Sequence, residues 1–162
     1  MPALHHTGLT ISSLERSLLF WRDAMGMTVL FEQEKTGGYM EAIVGEVGAS
    51  VRMAHLAFGG EGPRIELFEY VSPSGGKHVS RPADVGFVHI CVACDDLEDR
   101  LGRLVAAGGS AFSAPVIVDT GVNRGGRGVY LRDPDGHVVE LFEPPSVAAS
   151  RDAVAAGRQA DG

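Results

Sequence analysis

The chain has 162 residues, of which 44% are hydrophobic and 22% are charged, and its formal net charge is −7 at pH 7. The length suits one domain, the composition is ordinary for a globular protein, and the negative charge argues against nucleic acids and acidic membranes as partners, because both require clustered Lys and Arg. There is no run of about eighteen apolar residues and no basic-then-apolar leader, so we expect a cytoplasmic protein.

The two halves of the chain predict similar successions of elements. In the first half these are a strand at 4–11, a helix from Ser12 or Ser13 to Gly26, a strand at 28–34, a short helix at 40–47, and strands at 51–58 and 65–71. In the second half they are a strand at 85–94, a helix from Asp95 or Asp96 to 107, a strand at 116–119, and a hairpin of 129–132 and 138–142. Helical spacing, capping residues and turn residues support these assignments, and each half is roughly βαβββ.

Both halves are assigned to one domain. This domain spans 1–145, with a first module at 3–71, a linker rich in Ser, Gly and Pro at 72–82, and a second module at 83–145. The remainder is rich in Ala and lacks an apolar stripe, so we expect 146–162 to be a flexible tail.

The two halves are also related in sequence. His6 and His89, each in the first strand of its half, are 83 positions apart. Glu66 and Glu140 each begin the phrase Glu-Leu-Phe-Glu in the last strand of a half, and they are 74 positions apart. A repeat of about eighty residues is too long for a solenoid, so it indicates a duplicated module.

These four residues predict a metal site. If the modules pack about a pseudo-twofold axis, each supplies one His and one Glu, and we expect antiparallel neighbouring strands to bring them together. Two imidazoles and two carboxylates suit a divalent first-row transition metal, and a cation would offset the cost of burying two carboxylates. Strand alternation turns His5 away from His6 and leaves Glu69 and Glu143 with solvated or structural roles.

The only cysteines, Cys91 and Cys94, form a Cys-x-x-Cys. In redox proteins this motif opens a helix, whereas here Cys91 lies in a predicted strand. A zinc site of this kind would need a second thiolate pair. We therefore predict buried thiols with neither function.

Five stretches carry a resemblance to a known family. They are His-Thr-Gly-Leu-Thr-Ile at 6–11, Leu-Glu-Arg-Ser-Leu-Leu-Phe-Trp-Arg-Asp-Ala-Met-Gly-Met at 14–27, Ile-Glu-Leu-Phe-Glu-Tyr at 65–70, His-Ile-Cys-Val with Asp-Asp-Leu-Glu at 89–98, and Asp-Pro-Asp-Gly-His-Val-Val-Glu-Leu at 133–141. Over about residues 3–145 the chain resembles the vicinal oxygen chelate superfamily of glyoxalase I, bleomycin-resistance proteins, methylmalonyl-CoA epimerase and extradiol dioxygenases. The resemblance implies an α+β fold of two tandem βαβββ modules forming a cupped mixed sheet around a central metal site, commonly in a homodimer.

The resemblance also places the family's metal positions on His6, Glu66, His89 and Glu140. Glu at the second position is similar to the glyoxalase I set. It implies a lyase or isomerase of the lactoylglutathione lyase type that uses Ni, Zn, Co, Mn or Fe and stabilises the enediolate of a small chelating carbonyl substrate. Glu140 or Glu66 would act as the catalytic base, with Glu140 favoured.

Other functions stay open. One is a metal-free protein that sequesters an antibiotic or another aromatic ligand, and a second is an Fe(II) extradiol-type dioxygenase. An acyl-CoA epimerase is the near alternative within the isomerase class. The aromatic side chains proposed as walls of a ligand site are Trp21, Phe58, Phe68, Phe87 and Phe112. The cations proposed to receive an anionic substrate are Arg52, Arg64, Lys77, Arg81, Arg124 and Arg127.

Overall fold

A computed structural model describes residues 1–60 and 62–150. The chain divides into two compact units, Met1–Val79 with Pro134–Gly136, and Ser80–Asp133 with His137–Gly162. None of the described helices is long and apolar enough to cross a membrane.

The first unit contains a four-stranded mixed sheet. Its elements are β1 (His6–Ile11), α1 (Leu14–Leu18), a π-helical turn (Leu19–Ala24), β2 (Thr28–Thr36), α2 (Tyr39–Val44), β3 (Ser50–Ala57) and β4 (Arg64–Ser72). The strand order is β1-β4-β3-β2, in which β1 is parallel to β4 and the other pairs are antiparallel.

The second unit contains a five-stranded mixed sheet. Its elements are β5 (His89–Ala93), α3 (Leu97–Ala106), β6 (Ser110–Ala111), β7 (Val116–Ile117), β8 (Arg127–Arg132) and β9 (Val138–Glu143). The order is β5-β9-β8-β6, with β7 also paired to β8, and β5 is parallel to β9.

The α+β class and the repeated module are confirmed, with differences in detail. The expected antiparallel pairing of the His and Glu strands is wrong, because β1–β4 and β5–β9 are parallel. The strand predicted at 85–94 begins only at His89, and Val85 and Val88 before it are exposed. Residues 146–150, assigned to the tail, are helical, whereas the remainder of that tail lies outside the described residues.

The helix starts are capped as the sequence predicts. The Ser13 side chain accepts a hydrogen bond from the N–H of Arg16, and the Asp96 side chain accepts one from the N–H of Asp99. These bonds satisfy N–H groups that a helix cannot pair internally. In each half the sequence offers two neighbouring capping residues, and the second of them, Ser13 or Asp96, caps the helix.

Strand alternation gives each closing strand, β4 and β9, a core face and an opposite face, which we call the open face. In β4, Ile65 and Leu67 are buried in the core, whereas Glu66, Phe68 and Tyr70 on the other face are partly exposed. The sequence of β9 repeats this alternation. A carboxylate from each closing strand is thereby left on the open face.

A second carboxylate in β4 faces the helix side. Oε2 of Glu69 accepts hydrogen bonds from the backbone N–H of Leu14, at the start of α1, and from Nη1 of Arg52, both at 3.1 Å. The guanidinium of Arg52 also pairs with Glu15 in the first turn of α1. Glu69 therefore fixes the helix to the sheet.

The second unit repeats this arrangement with a fully buried carboxylate. Glu143 has 0% exposure, and its Oε2 lies 3.4 Å from Nη1 of Arg127. Arg127 also binds Glu98 in the first turn of α3. Of the two roles predicted for Glu69 and Glu143, the structural one is correct.

We expect Arg127→Met to lower the free energy of unfolding by about 3 kcal/mol, because it leaves the buried Glu143 carboxylate without its cation. The matched control is Arg22→Met, which removes a guanidinium paired with the exposed Asp23 at 2.6 Å and should cost far less. Urea denaturation of the two variants measures the difference. Equal losses would contradict a structural role for the buried pair.

Candidate functional site

The pairing of β1 with β4 brings His6 and Glu66 together. The register sets Gly8 beside Glu66, and His6 is two residues before Gly8 on the same face. Nε2 of His6 lies 3.4 Å from Oε2 of Glu66. The Glu66 carboxylate lies directly over Gly8, where a Cβ would be in van der Waals contact with Oε2 at 3.4 Å.

The second unit builds an equivalent pair. The register of β5 and β9 sets Cys91 beside Glu140, with His89 two residues earlier. Nε2 of His89 lies 3.1 Å from Oε2 of Glu140. Cys91 occupies the position of Gly8, and its thiol contacts the Glu140 carboxylate.

Each pair suits a divalent transition metal in donor type and spacing. Two donor atoms separated by 3.1 or 3.4 Å can both lie about 2.1 Å from one ion. Across residues 1–60 and 62–150, no group of three or more His, Cys, Asp or Glu side chains is arranged to hold a metal ion. The structure thus defines one His–Glu pair in each unit, and the four-ligand set stays a prediction.

A third histidine, missed in the sequence analysis, contacts the first pair. His55 is paired with Glu66 across β3 and β4, and its Nε2 lies 2.9 Å from Oε1 of that residue. Its side chain is stacked on Phe31, with ring centroids 4.6 Å apart. Burial lowers the pKa of His55, although the Glu66 carboxylate opposes this shift. The neutral ring therefore donates its Nε2–H to the carboxylate.

Tyr130 of the second unit takes the position that corresponds to His55. It is paired with Glu140 across β8 and β9, as His55 is with Glu66. Its hydroxyl lies 3.3 Å from Nε2 of His89. The side chain at this register position therefore contacts the glutamate in the first unit and the histidine in the second.

A pocket of about 400 Å³ lies against the open face of the first unit's sheet. His6, His55 and Glu66 line it together with the apolar side chains of α2 and the sheet, which are Leu9, Met40, Ile43, Val44, Met53 and Phe68. The ionisable side chains in the described lining are those of Glu66, the two histidines and the tyrosines Tyr39 and Tyr70.

Several sequence-based candidates have other roles. Of the proposed aromatic walls, Phe68 lines the pocket, whereas Trp21 is fully buried in the core. Arg52 and Arg127, two of the proposed cations for an anionic substrate, are engaged by Glu69 and Glu143 on the helix side. These two cations are therefore structural.

The prediction of buried thiols is wrong, since Cys91 is exposed and Cys94 is partly exposed. The strand carries Cys91 on its open face, beside Glu140. Desolvation and the negative Glu140 raise the pKa of the Cys91 thiol to about 11. Desolvation and the negative Glu143 raise that of Cys94 to about 11 as well.

Known proteins with similar sequences and structures place these observations in a family context. The sequence profile described as Glyoxalase/Bleomycin resistance protein/Dioxygenase superfamily matches residues 3–141. A 2-epi-5-epi-valiolone epimerase from an Actinomyces species is 27% identical over 150 residues, covering 90% of this chain and 81% of that protein. A probable lactoylglutathione lyase from Vibrio parahaemolyticus is 29% identical over 147 residues, covering 89% and 92%. A solved glyoxalase family protein from Bacillus cereus has a TM-score of 0.78 at 18% identity, covering 89% and 95%, and so shares the fold.

We expect the thiol of Cys94 to alkylate slowly at neutral pH. In a Cys91→Ala variant, a pKa of about 11 instead of 9.0 makes the thiolate fraction roughly a hundredfold smaller than in a free thiol. Because the pKa is raised, the rate with iodoacetamide should keep increasing as the pH rises toward 11. The same variant unfolded in guanidinium is the control, and equal rates in the two states would contradict the expectation.

Proposed function

The chain belongs to the Glyoxalase/Bleomycin resistance protein/Dioxygenase superfamily, and we propose that it is a divalent-metal-dependent lyase or isomerase of a small carbonyl substrate. The names of the relatives, an epimerase and a probable lactoylglutathione lyase, support this reaction class. The proposed metal ligands are His6, Glu66, His89 and Glu140.

The observation that carries the proposal is the repeated His–Glu pair. In both units a histidine from the first strand lies within 3.4 Å of a glutamate from the last strand. A structural ion pair would explain either contact alone. Its recurrence at corresponding positions, on the open face of both sheets, favours a shared task such as metal binding.

Glu140 is proposed as the base that moves a proton on the substrate. Its carboxylate would take the proton from the hydroxyl-bearing carbon next to the carbonyl, the C–H electron pair would form a C=C bond, and the carbonyl π pair would move onto oxygen, which gives an enediolate once the hydroxyl proton is lost. Return of the carbon-bound proton to the former carbonyl carbon, and of the hydroxyl proton to the oxygen on that carbon, gives isomerisation. Protonation of the original carbon from the opposite face by solvent gives epimerisation. When bound, the ion would polarise the carbonyl and stabilise negative charge on its oxygen.

The surroundings of the two glutamates support Glu140, and not Glu66, as the base. Glu66 accepts the N–H of His55 at 2.9 Å, which holds its side chain in one orientation. Glu140 instead accepts the thiol of Cys91, a weaker donor than an imidazole, and lies 3.1 Å from Nε2 of His89. The carboxylate whose additional donor is a thiol suits a group that must move toward a substrate carbon.

The pocket of the first unit supports a neutral substrate. Its described lining contains no Lys or Arg. Burying the carboxylates of a glutathione conjugate without cations is costly, whereas a small hydroxy ketone carries no such charge. We therefore favour a small uncharged carbonyl compound over a glutathione adduct.

A second candidate is a metal-free ligand-binding protein. The observation that favours it is the apolar part of the same pocket, where Met40 and Phe68 form part of the lining. Such a surface suits an apolar or aromatic ligand without any reaction. Metal content and turnover separate the two functions.

The first experiment measures the metal content of the purified protein. We expect near-stoichiometric nickel, zinc, cobalt or manganese in the wild type and its loss in a His6→Ala, His89→Ala double variant. The matched control is His78→Ala, which changes an exposed histidine outside both pairs and should retain the metal. Iron would redirect the search to oxygenase substrates, and a wild type without metal even after reconstitution would favour the binding protein.

A second experiment tests the proposed base. We expect Glu140→Gln to retain metal and to slow deuterium exchange at the carbon next to the substrate carbonyl by at least about a hundredfold. The substrates to compare are dihydroxyacetone and the hemithioacetal of methylglyoxal and glutathione, followed by proton NMR in D₂O. Full exchange in both Glu140→Gln and Glu66→Gln would contradict the assignment of a glutamate base.

A further inference from the structure

His55 lies in a row of paired residues that crosses the open face of the first unit's sheet. In the strand order β1-β4-β3-β2 the row is Gly8, Glu66, His55 and Phe31. The Glu66 carboxylate lies over Gly8 of β1, and Phe31 of β2 stacks on the His55 ring. The stacking restricts where the imidazole can lie, and the imidazole in turn contacts the carboxylate.

The two oxygens of Glu66 have different partners. Oε1 accepts the Nε2–H of His55 at 2.9 Å, and Oε2 lies 3.4 Å from Nε2 of His6. A bond from a buried N–H to a carboxylate is among the stronger protein hydrogen bonds. Fixing Oε1 in this way leaves Oε2 directed toward His6.

The imidazole makes this bond at a cost. His55 is 5% exposed, and its Nδ1 is a buried side-chain atom for which the described structure provides no hydrogen-bond partner. An unsatisfied buried polar atom is destabilising, so an apolar residue would be expected here on grounds of stability alone. The side chain is therefore better explained by its contact with Glu66 than by packing.

We propose that His55 is a positioning residue that holds Glu66 in the orientation of a permanent metal ligand. It acts through Oε1 and leaves Oε2 and the His6 imidazole to bind the ion. This inference rests on the proposed function and adds a residue to it. In the second unit the matching Tyr130 contacts His89 instead, so at this strand position the described residues place an imidazole beside the glutamate in the first unit and a phenol in the second.

The test uses the full chain and cobalt(II) as the probe. Affinity is measured by competition with a chromogenic chelator, and the ligand geometry is followed in the visible cobalt spectrum. His55→Leu should weaken cobalt binding by about 10- to 100-fold, the usual effect of removing a group that orients a ligand. His55→Gln, which can still present an N–H to the carboxylate, should recover most of the affinity.

Two controls separate positioning from a loss of structure. Leu56→Met changes a buried residue next to His55 in β3, outside the described pocket lining, at nearly constant volume and should leave cobalt affinity unchanged. In a Glu66→Gln background, adding His55→Leu should cause no further loss, because His55 acts only through that carboxylate. A full additional loss there would show general damage and overturn the proposal.

The outcomes also distinguish this inference from the proposed function. If the wild type binds no cobalt, both are overturned. If the wild type binds cobalt and His55→Leu binds it equally well, the positioning role alone is overturned. Weak binding by His55→Leu, recovery by His55→Gln and no added loss in the Glu66→Gln background would together support the role.

Discussion

The second glutamate of Glu-Leu-Phe-Glu, in the closing strand of each unit, is the constraint on which the rest of that unit depends. In each unit this carboxylate forms an ion pair with an arginine of the adjacent strand, Arg52 or Arg127. The same arginine also pairs with a glutamate in the first turn of the helix. This contact fixes the helix on one face of the sheet. In Glu-Leu-Phe-Glu the first glutamate is three residues earlier, so it must lie on the other face. One short phrase therefore supplies a structural carboxylate and the carboxylate that we propose as a metal ligand.

The two units share this frame and differ in what surrounds the carboxylate that we propose as a metal ligand. Gly8 in one unit corresponds to Cys91 in the other, and His55 corresponds to Tyr130. These replacements leave the strand pairings intact and alter only the contacts on the open face. Two glutamates that share a position in the fold thus have different partners, which is a physical basis for different chemical roles.

Much of this architecture follows from the sequence, because it depends on periodicity and on the internal repeat. The βαβββ modules, the Ser13 and Asp96 caps and the separation of Glu66 from Glu69 all follow from local rules. The pairing of strands that are distant in the chain does not follow from such local rules. The parallel direction of β1 and β4, and the register that sets His55 against Glu66, depend on contacts between distant segments. A single sequence contains no direct signal for these contacts, although His55 stands out as an imidazole within the largely apolar strand predicted at 51–58.

The short helix α2 has a consequence for how this scaffold can diversify. It joins β2 to β3, packs through Met40 against the sheet, and contributes Ile43 and Val44 to the pocket lining. Because it takes no part in the strand pairings, its side chains can change without disturbing the register that holds the His–Glu pair. Substitutions in α2 can therefore change the shape of the pocket while the His–Glu pair stays in place. The pocket lining and the proposed metal ligands can then vary separately within one small module.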